Sequence, residues 1–140
     1  MYEVDWPIIQ YNLIHLGIAY LLALPVAYDR DKSSNGAGLR TYPLVALAAC
    51  GYTLLGISVL DSTGAEARVL QGIITGIGFI GGGAILKNKN SVTGTASAAS
   101  IWNTGLIGMA VAFQRFEIAI LLSLFNFLTL RYLTNVKDDK

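Results

Sequence analysis

Residues 70–86 read Leu70-Gln71-Gly72-Ile73-Ile74-Thr75-Gly76-Ile77-Gly78-Phe79-Ile80-Gly81-Gly82-Gly83-Ala84-Ile85-Leu86, with six glycines and no charge. In water this would be a poor helix, because each interior glycine costs about 1 kcal/mol relative to alanine. In a bilayer the backbone must satisfy its own hydrogen bonds, so a helix is its natural state. There the missing side chains let a neighbouring backbone come close. The stretch is therefore predicted to be a transmembrane helix built for close packing. Gly72 and Gly76 form one small-xxx-small pair and Gly78 and Gly82 a second, offset by six residues and so on roughly opposite faces. Two approachable faces suit a helix at the centre of a bundle. Gly81, Gly82 and Gly83 carry a second reading, in which they break the helix and turn backbone carbonyls toward a cavity. They are not a phosphate loop, since no Gly-Lys-Ser/Thr ending follows and no strand precedes.

Outward from this run the pattern repeats. Of 140 residues 54% are hydrophobic and 14% charged, against about 25% charged in soluble domains. The charges gather between five apolar runs, near Pro7–Tyr28, Tyr42–Leu60, Leu70–Leu86, Thr95–Phe113 and Phe116–Leu133. Each is close to the roughly 17–25 residues that span a membrane. Only Gln114-Arg115 separates the last two, which reads as a tight helical hairpin. The longest loop, from Asp29 to Thr41, carries the turn formers Ser33-Ser34-Asn35-Gly36, and the tail from Asn135 is polar. Counting lysine and arginine on alternate sides gives eight on one face and two on the other. The expectation is an all-α bundle of five helices in a single domain, residues 1–140, N-terminus outside and C-terminus cytoplasmic. Tyr2, Trp6 and Tyr11 fall near the outer interface, and Tyr28, Tyr42 and Tyr132 near the inner one. Trp102 lies inside the fourth run and is expected to face another helix. The acidic opening Met1–Trp6 lacks the basic start of a signal peptide. The lone Cys50 excludes an intrachain disulfide and reads as a packed small hydrophobe. No basic face offers itself to nucleic acid, and none is expected to bind.

The polar groups fall into two constellations. Asp29-Arg30-Asp31-Lys32 is followed by Gly38-Leu39-Arg40-Thr41. It reads either as a solvated interfacial cluster or as a site, because Asp29 abuts an apolar span where a charge needs a partner. Arg40 is the expected partner. Asp29 and Asp31 are the residues a hard cation such as Mg²⁺ would seek, but Mg²⁺ keeps several waters and two aspartates do not define a centre, so no metal is predicted. Within the spans stand Asn12, His15, Gln71, Thr75, Ser97, Ser100, Asn103, Ser123 and Asn126, which suit interhelical hydrogen bonds of about 0.6 kcal/mol each. His15 stands alone and reads as structural. Ser97, Ser100 and Asn103 recur every third residue and make one stripe; facing Gln71 and Thr75, that stripe would line a narrow wet path. No acid or base lies near a span centre, which argues against a proton-coupled pump. With no nucleophile–base pair, metal cluster or cofactor fingerprint, the chain is expected to be no enzyme and to carry no cofactor.

Several of these motifs together resemble the membrane domain of the MgtC/SapB family of bacterial inner-membrane proteins. They are Asp29-Arg30; Gly38-Leu39-Arg40-Thr41; Arg68-Val69 with Gln71; the run from Thr75 to Leu86; and Gly94 with Ser97-Ala98-Ala99-Ser100-Ile101-Trp102, then Ile107-Gly108. The likeness covers roughly residues 20–115. Asp29-Arg30 stands where the family usually has Glu-Arg, and Ala65-Glu66-Ala67 where an Asp-Pro usually precedes the Arg-Val step. Thr95 and Ala96 replace a Leu and a Thr or Asn. Many members add a soluble C-terminal domain, and the expectation here is the membrane domain alone.

The resemblance implies a non-enzymatic membrane factor linked to growth at low magnesium and to virulence, with some members restraining the membrane sector of the ATP synthase. Two mechanisms follow for this chain. In the first, Gly72, Gly76, Gly78, Gly81, Gly82, Gly83 and Trp102 pack against another inner-membrane protein or a second copy. In the second, an oligomer, most simply a two-fold dimer, conducts or carries Mg²⁺ or another cation along Gln71, Ser97, Ser100 and Asn103, fed by Asp29 and Asp31. In both, Arg30, Arg40, Arg68 and Thr75 are further site candidates, and the bilayer is the surrounding partner.

Overall fold

A computed structural model describes residues 4–33 and 37–133. The turn formers at 34–36, the belt position of Tyr2 and the polar tail lie outside these residues. The described chain forms α1 (Trp6–Ser33), α2 (Thr41–Val59), α3 (Thr63–Gly83), β1 (Leu86–Asn88), β2 (Ser91–Thr93), α4 (Thr95–Ala112) and α5 (Phe116–Tyr132). Two of the five helices, over Trp6–Lys32 and Thr41–Val59, are long and apolar enough to cross a membrane by length and composition.

Local chemistry sets the helix ends. Ser62 caps α3, its hydroxyl accepting from the Ala65 amide at 3.2 Å, and Glu66 follows in the first turn, where a negative charge opposes the helix dipole. The helix therefore begins at Thr63, earlier than its apolar run, and ends at Gly83. There Gly81 and Gly82 are not left with open carbonyls: the amides of Ala84 and Ile85 take them at 3.0 and 3.1 Å. Residues 84–86, predicted as helix, instead lead into an antiparallel hairpin pairing Leu86 with Thr93, Lys87 with Val92 and Asn88 with Ser91. An all-α description thus omits one small sheet. Its return strand meets α4 at Gly94, whose φ of +85° an L side chain rarely adopts and whose Cβ would strike the Ala84 carbonyl. Gln114, at φ +58°, turns the chain between α4 and α5, so the narrow break read from the sequence is a true turn.

The helix at the centre is α4, not α3. It packs against all four of the others, whereas α3 packs mainly on α2 and α4. Most of α4 is buried, from Ser97 and Ala98 through Thr104 to Val111 and Ala112. Its small residues explain this: a Cβ on Gly108 would strike the carbonyl of Ala46, and one on Gly105 would strike Ile77. The glycine-mediated approach predicted for α3 is realised on α4, against α2 and α3.

Candidate functional site

At the end of the bundle where α1 and α5 finish and α2 and α4 begin, polar groups from four helices converge. Asp29 and Arg30 lie in the last turns of α1 rather than in a loop, and both are buried. Arg30 Nη2 donates to Asp29 Oδ2 at 3.2 Å and to the Leu130 carbonyl of α5 at 3.4 Å. Arg131 Nη1 reaches Asp29 Oδ1 at 3.4 Å. The cross-bundle partner of Asp29 is thus Arg131, and the predicted Arg40 is exposed at the start of α2. Burial is costly for a carboxylate, and two guanidinium groups offset it here. Asp31 serves a different purpose: its carboxylate accepts the Leu39 amide at 3.3 Å and packs against Gly38, so it ties the loop back onto α1. The two aspartates therefore face different partners and do not converge as a cation site.

Inward from this cluster a polar seam runs along α4. Tyr42 Oη donates to the Ser97 carbonyl at 3.4 Å, Thr104 Oγ1 to the Ser100 carbonyl at 2.8 Å, and Asn126 Nδ2 to the same carbonyl at 3.5 Å. Ser123 Oγ bonds the Leu22 carbonyl at 2.6 Å, joining α5 to α1. Among the described residues the hydroxyl of Ser100 is buried without a hydrogen-bond partner. The main-chain carbonyls of Ser97 and Ser100 are thus taken up by α2 and α5. Gln71 and Thr75 are exposed, and the Thr75 hydroxyl bonds back to the Gln71 carbonyl at 2.9 Å. Asn103 is half-buried on α4. The wet path predicted between α3 and α4 is not assembled.

The opposite end is closed by α1 and the α4–α5 turn. Gln114 Nε2 donates to Tyr11 Oη at 2.8 Å. His15 Nδ1 lies 2.7 Å from the Tyr11 carbonyl, which can only accept, so Nδ1 carries the proton. The buried Nε2 has no partner among the described residues, and the ring stacks 4.0 Å from that of Tyr11.

The third feature is the bare face of α3. A Cβ on Gly72, Gly76, Gly78, Gly82 or Gly83 would meet nothing within 4 Å; only Gly81 is engaged, against the Ala98 carbonyl. The helix is held through its other side, with Val69 against Gly56 and Ile77 over Gly105. Between α2 and α3 this leaves an apolar groove of about 410 Å³, floored by Ala48, Ala49, Gly72 and Gly76 and flanked by Tyr52 and Ile80. Phe79 projects beside it, 86% exposed. Trp102, expected to face another helix, is 54% exposed and borders a small hollow with Ile74 and Ile77 of α3. Arg68 is exposed on the first half of α3.

Sequence reasoning placed Tyr42 near the inner interface but missed its bond to α4, and it missed Arg131 as a partner of Asp29. A usable signal existed for the second: the charge count already placed Arg131 on the same side as Asp29.

Residues 16–138 match the MgtC family. YhiD of Escherichia coli (strain K12), named as a candidate magnesium transporter, is 30% identical over 125 residues, which cover 84% of this chain and 58% of that protein. SapB of Bacillus subtilis (strain 168) is 28% identical over 138 residues, 93% of this chain and 60% of its own length. MgtC of Brucella abortus (strain 2308) is 32% identical over 104 residues, 74% and 43% respectively. The chain therefore spans about half the length of these relatives. No solved structure matches it significantly.

Proposed function

The chain belongs to the MgtC family, and from that premise we propose that it is an integral membrane protein of magnesium homeostasis that acts by packing helices rather than by catalysis or conduction. One observation carries this reading: six of the seven glycines of α3, all but Gly81, face open space. Within the protomer those glycines weaken the helix and fill no contact. A second helix laid along Gly72 and Gly76 would gain close backbone approach and van der Waals contact, which is how helices associate in lipid. The partner is a second copy or another inner-membrane protein, the membrane sector of the ATP synthase among them. The readout is growth at low magnesium or survival in a host.

The proposal places all five helices in the inner membrane, N-terminus outside. Supporting this, exposed large apolar side chains run along each of them, including Leu13 and Leu21 on α1, Leu55 on α2, Phe79 on α3, Leu106 on α4 and Phe125 on α5. So broad an apolar surface suits lipid better than water. At the inner end Lys32 lies 4.2 Å above the Tyr28 ring, an arrangement fitted to an interface.

A cation channel through the protomer is the weaker reading. Its polar seam ends at the buried Arg30, where two guanidinium groups face the one carboxylate of Asp29 and leave no net negative charge to attract a cation. The test is Gly76→Leu with two differently tagged copies and with the native membrane extract. Loss of co-purification by an otherwise folded variant is the expected result; unchanged association with every partner retained by the parent overturns the docking role. Cation flux from proteoliposomes well above that of empty vesicles, reduced by Asn103→Leu, would favour the channel instead.

A further inference from the structure

The hairpin between α3 and α4 is used neither by the polar seam nor by the glycine face. All six of its strand residues are exposed, Leu86 at 65% and Val92 at 54%. Cross-strand partners share a face of a two-stranded ribbon, so Lys87 and Val92 lie side by side on one face. Lys89 follows at the tip. Among the described residues neither lysine has an ion-pair partner, and no acid occurs anywhere from Ala67 to Phe116. An isolated two-stranded hairpin is marginal in water, yet this one is held at its base, where Gly94 packs on the Ala84 carbonyl. Its place is also fixed. Tyr42, in the first turn of α2, bonds Ser97, in the first turn of α4, so the hairpin sits at the same end as Arg30 and Arg131.

We propose that this hairpin lies in the cytoplasmic headgroup layer and binds anionic phospholipid, with Val92 at the acyl boundary, Lys87 beside it on the same face, and Lys87 and Lys89 on lipid phosphates. The inference rests on the membrane placement proposed above. Charge complementarity selects the occupant. A lysine beside an exposed apolar side chain can lay its methylenes along that surface and carry its ammonium to a phosphate. Each basic residue near an anionic leaflet shifts partition by about fivefold, so two give roughly 25-fold.

The test uses the full chain with Cys50→Ala and Asn90→Cys, the new thiol carrying an environment-sensitive fluorophore at the hairpin tip. It is reconstituted in vesicles of phosphatidylcholine alone or of equal parts phosphatidylcholine and phosphatidylglycerol, and flotation first establishes that the protein is inserted in both. Failure to float overturns the membrane placement itself and the present proposal with it. With insertion established, the expected result is a blue-shifted, quencher-protected tip only with phosphatidylglycerol. The protection should be lost in Lys87→Gln/Lys89→Gln, kept in Lys87→Arg/Lys89→Arg, and weakened by salt. An identical tip environment in both vesicle types overturns the proposal, as does a shift that survives the double Gln change. Inorganic phosphate producing the same shift on phosphatidylcholine vesicles, or protection appearing only when an acidic protein partner is added, overturns the lipid assignment.

Discussion

Glycines of one type do opposite work at different positions. Gly108 lets α4 approach the Ala46 carbonyl, and a Cβ there has nowhere to go. Gly108→Ala should lower stability by roughly 1–3 kcal/mol through overpacking, read as a lower midpoint of thermal unfolding in detergent. Gly76→Ala, with nothing within 4 Å, should leave the midpoint unchanged or raise it, since alanine is the better helix former. The buried carboxylate of Asp29 makes a second contrast. Asp29→Asn removes the charge that faces two guanidinium groups and should cost roughly 3–5 kcal/mol. Arg131→Gln alters a side chain that is 57% exposed and should cost less than about 1 kcal/mol. Chemical or thermal unfolding of the two variants side by side gives the comparison. The sequence showed that Asp29 needed a partner, because a charge beside an apolar run is costly. It pointed to Arg40 because that residue is near in the chain, whereas Arg131 is brought in from 102 residues away by the packing of α5 on α1.

At the scale of elements, helix number, order and the Gln114 turn were legible from apolar runs and the charges between them. The rank of the helices was not. Glycine spacing states that close approach is possible and does not say which neighbour takes it up. The Ala- and Ser-rich α4, with Gly105 and Gly108, carried the same signal as α3 and became the hub. The start of α3 was hidden because Ser62 and Glu66 define a helix end by capping, not by hydropathy. The hairpin was missed because Leu86 and Ala84-Ile85 extend the apolar run seamlessly. In the seam, Ser123 and Asn126 each give α5 one hydrogen bond to another helix. Ser123→Ala should therefore cost only about 0.6 kcal/mol. A loss several times larger in thermal unfolding would mean that the seam is held more cooperatively than pairwise bonds imply.

For the whole molecule, five helices with apolar outer surfaces and a charge-poor middle form a body suited to lipid. Arg30, Arg131 and the lysine-bearing hairpin gather at one end. Positive residues are retained on the cytoplasmic side, so a cysteine at Asn90 should be shielded from a membrane-impermeant maleimide added to intact cells, while one at Asp61 should react. The reverse labelling would invert the bundle. The claim on which function turns is that the bare face of α3 is a working surface, not a packing defect. The direct measurement is low-magnesium growth of cells lacking the native protein and carrying Gly72→Leu/Gly76→Leu, with the thermal midpoint of the purified variant taken in parallel. A normal midpoint with growth reduced to that of cells without the protein is the predicted outcome. A normal midpoint with full growth would contradict it.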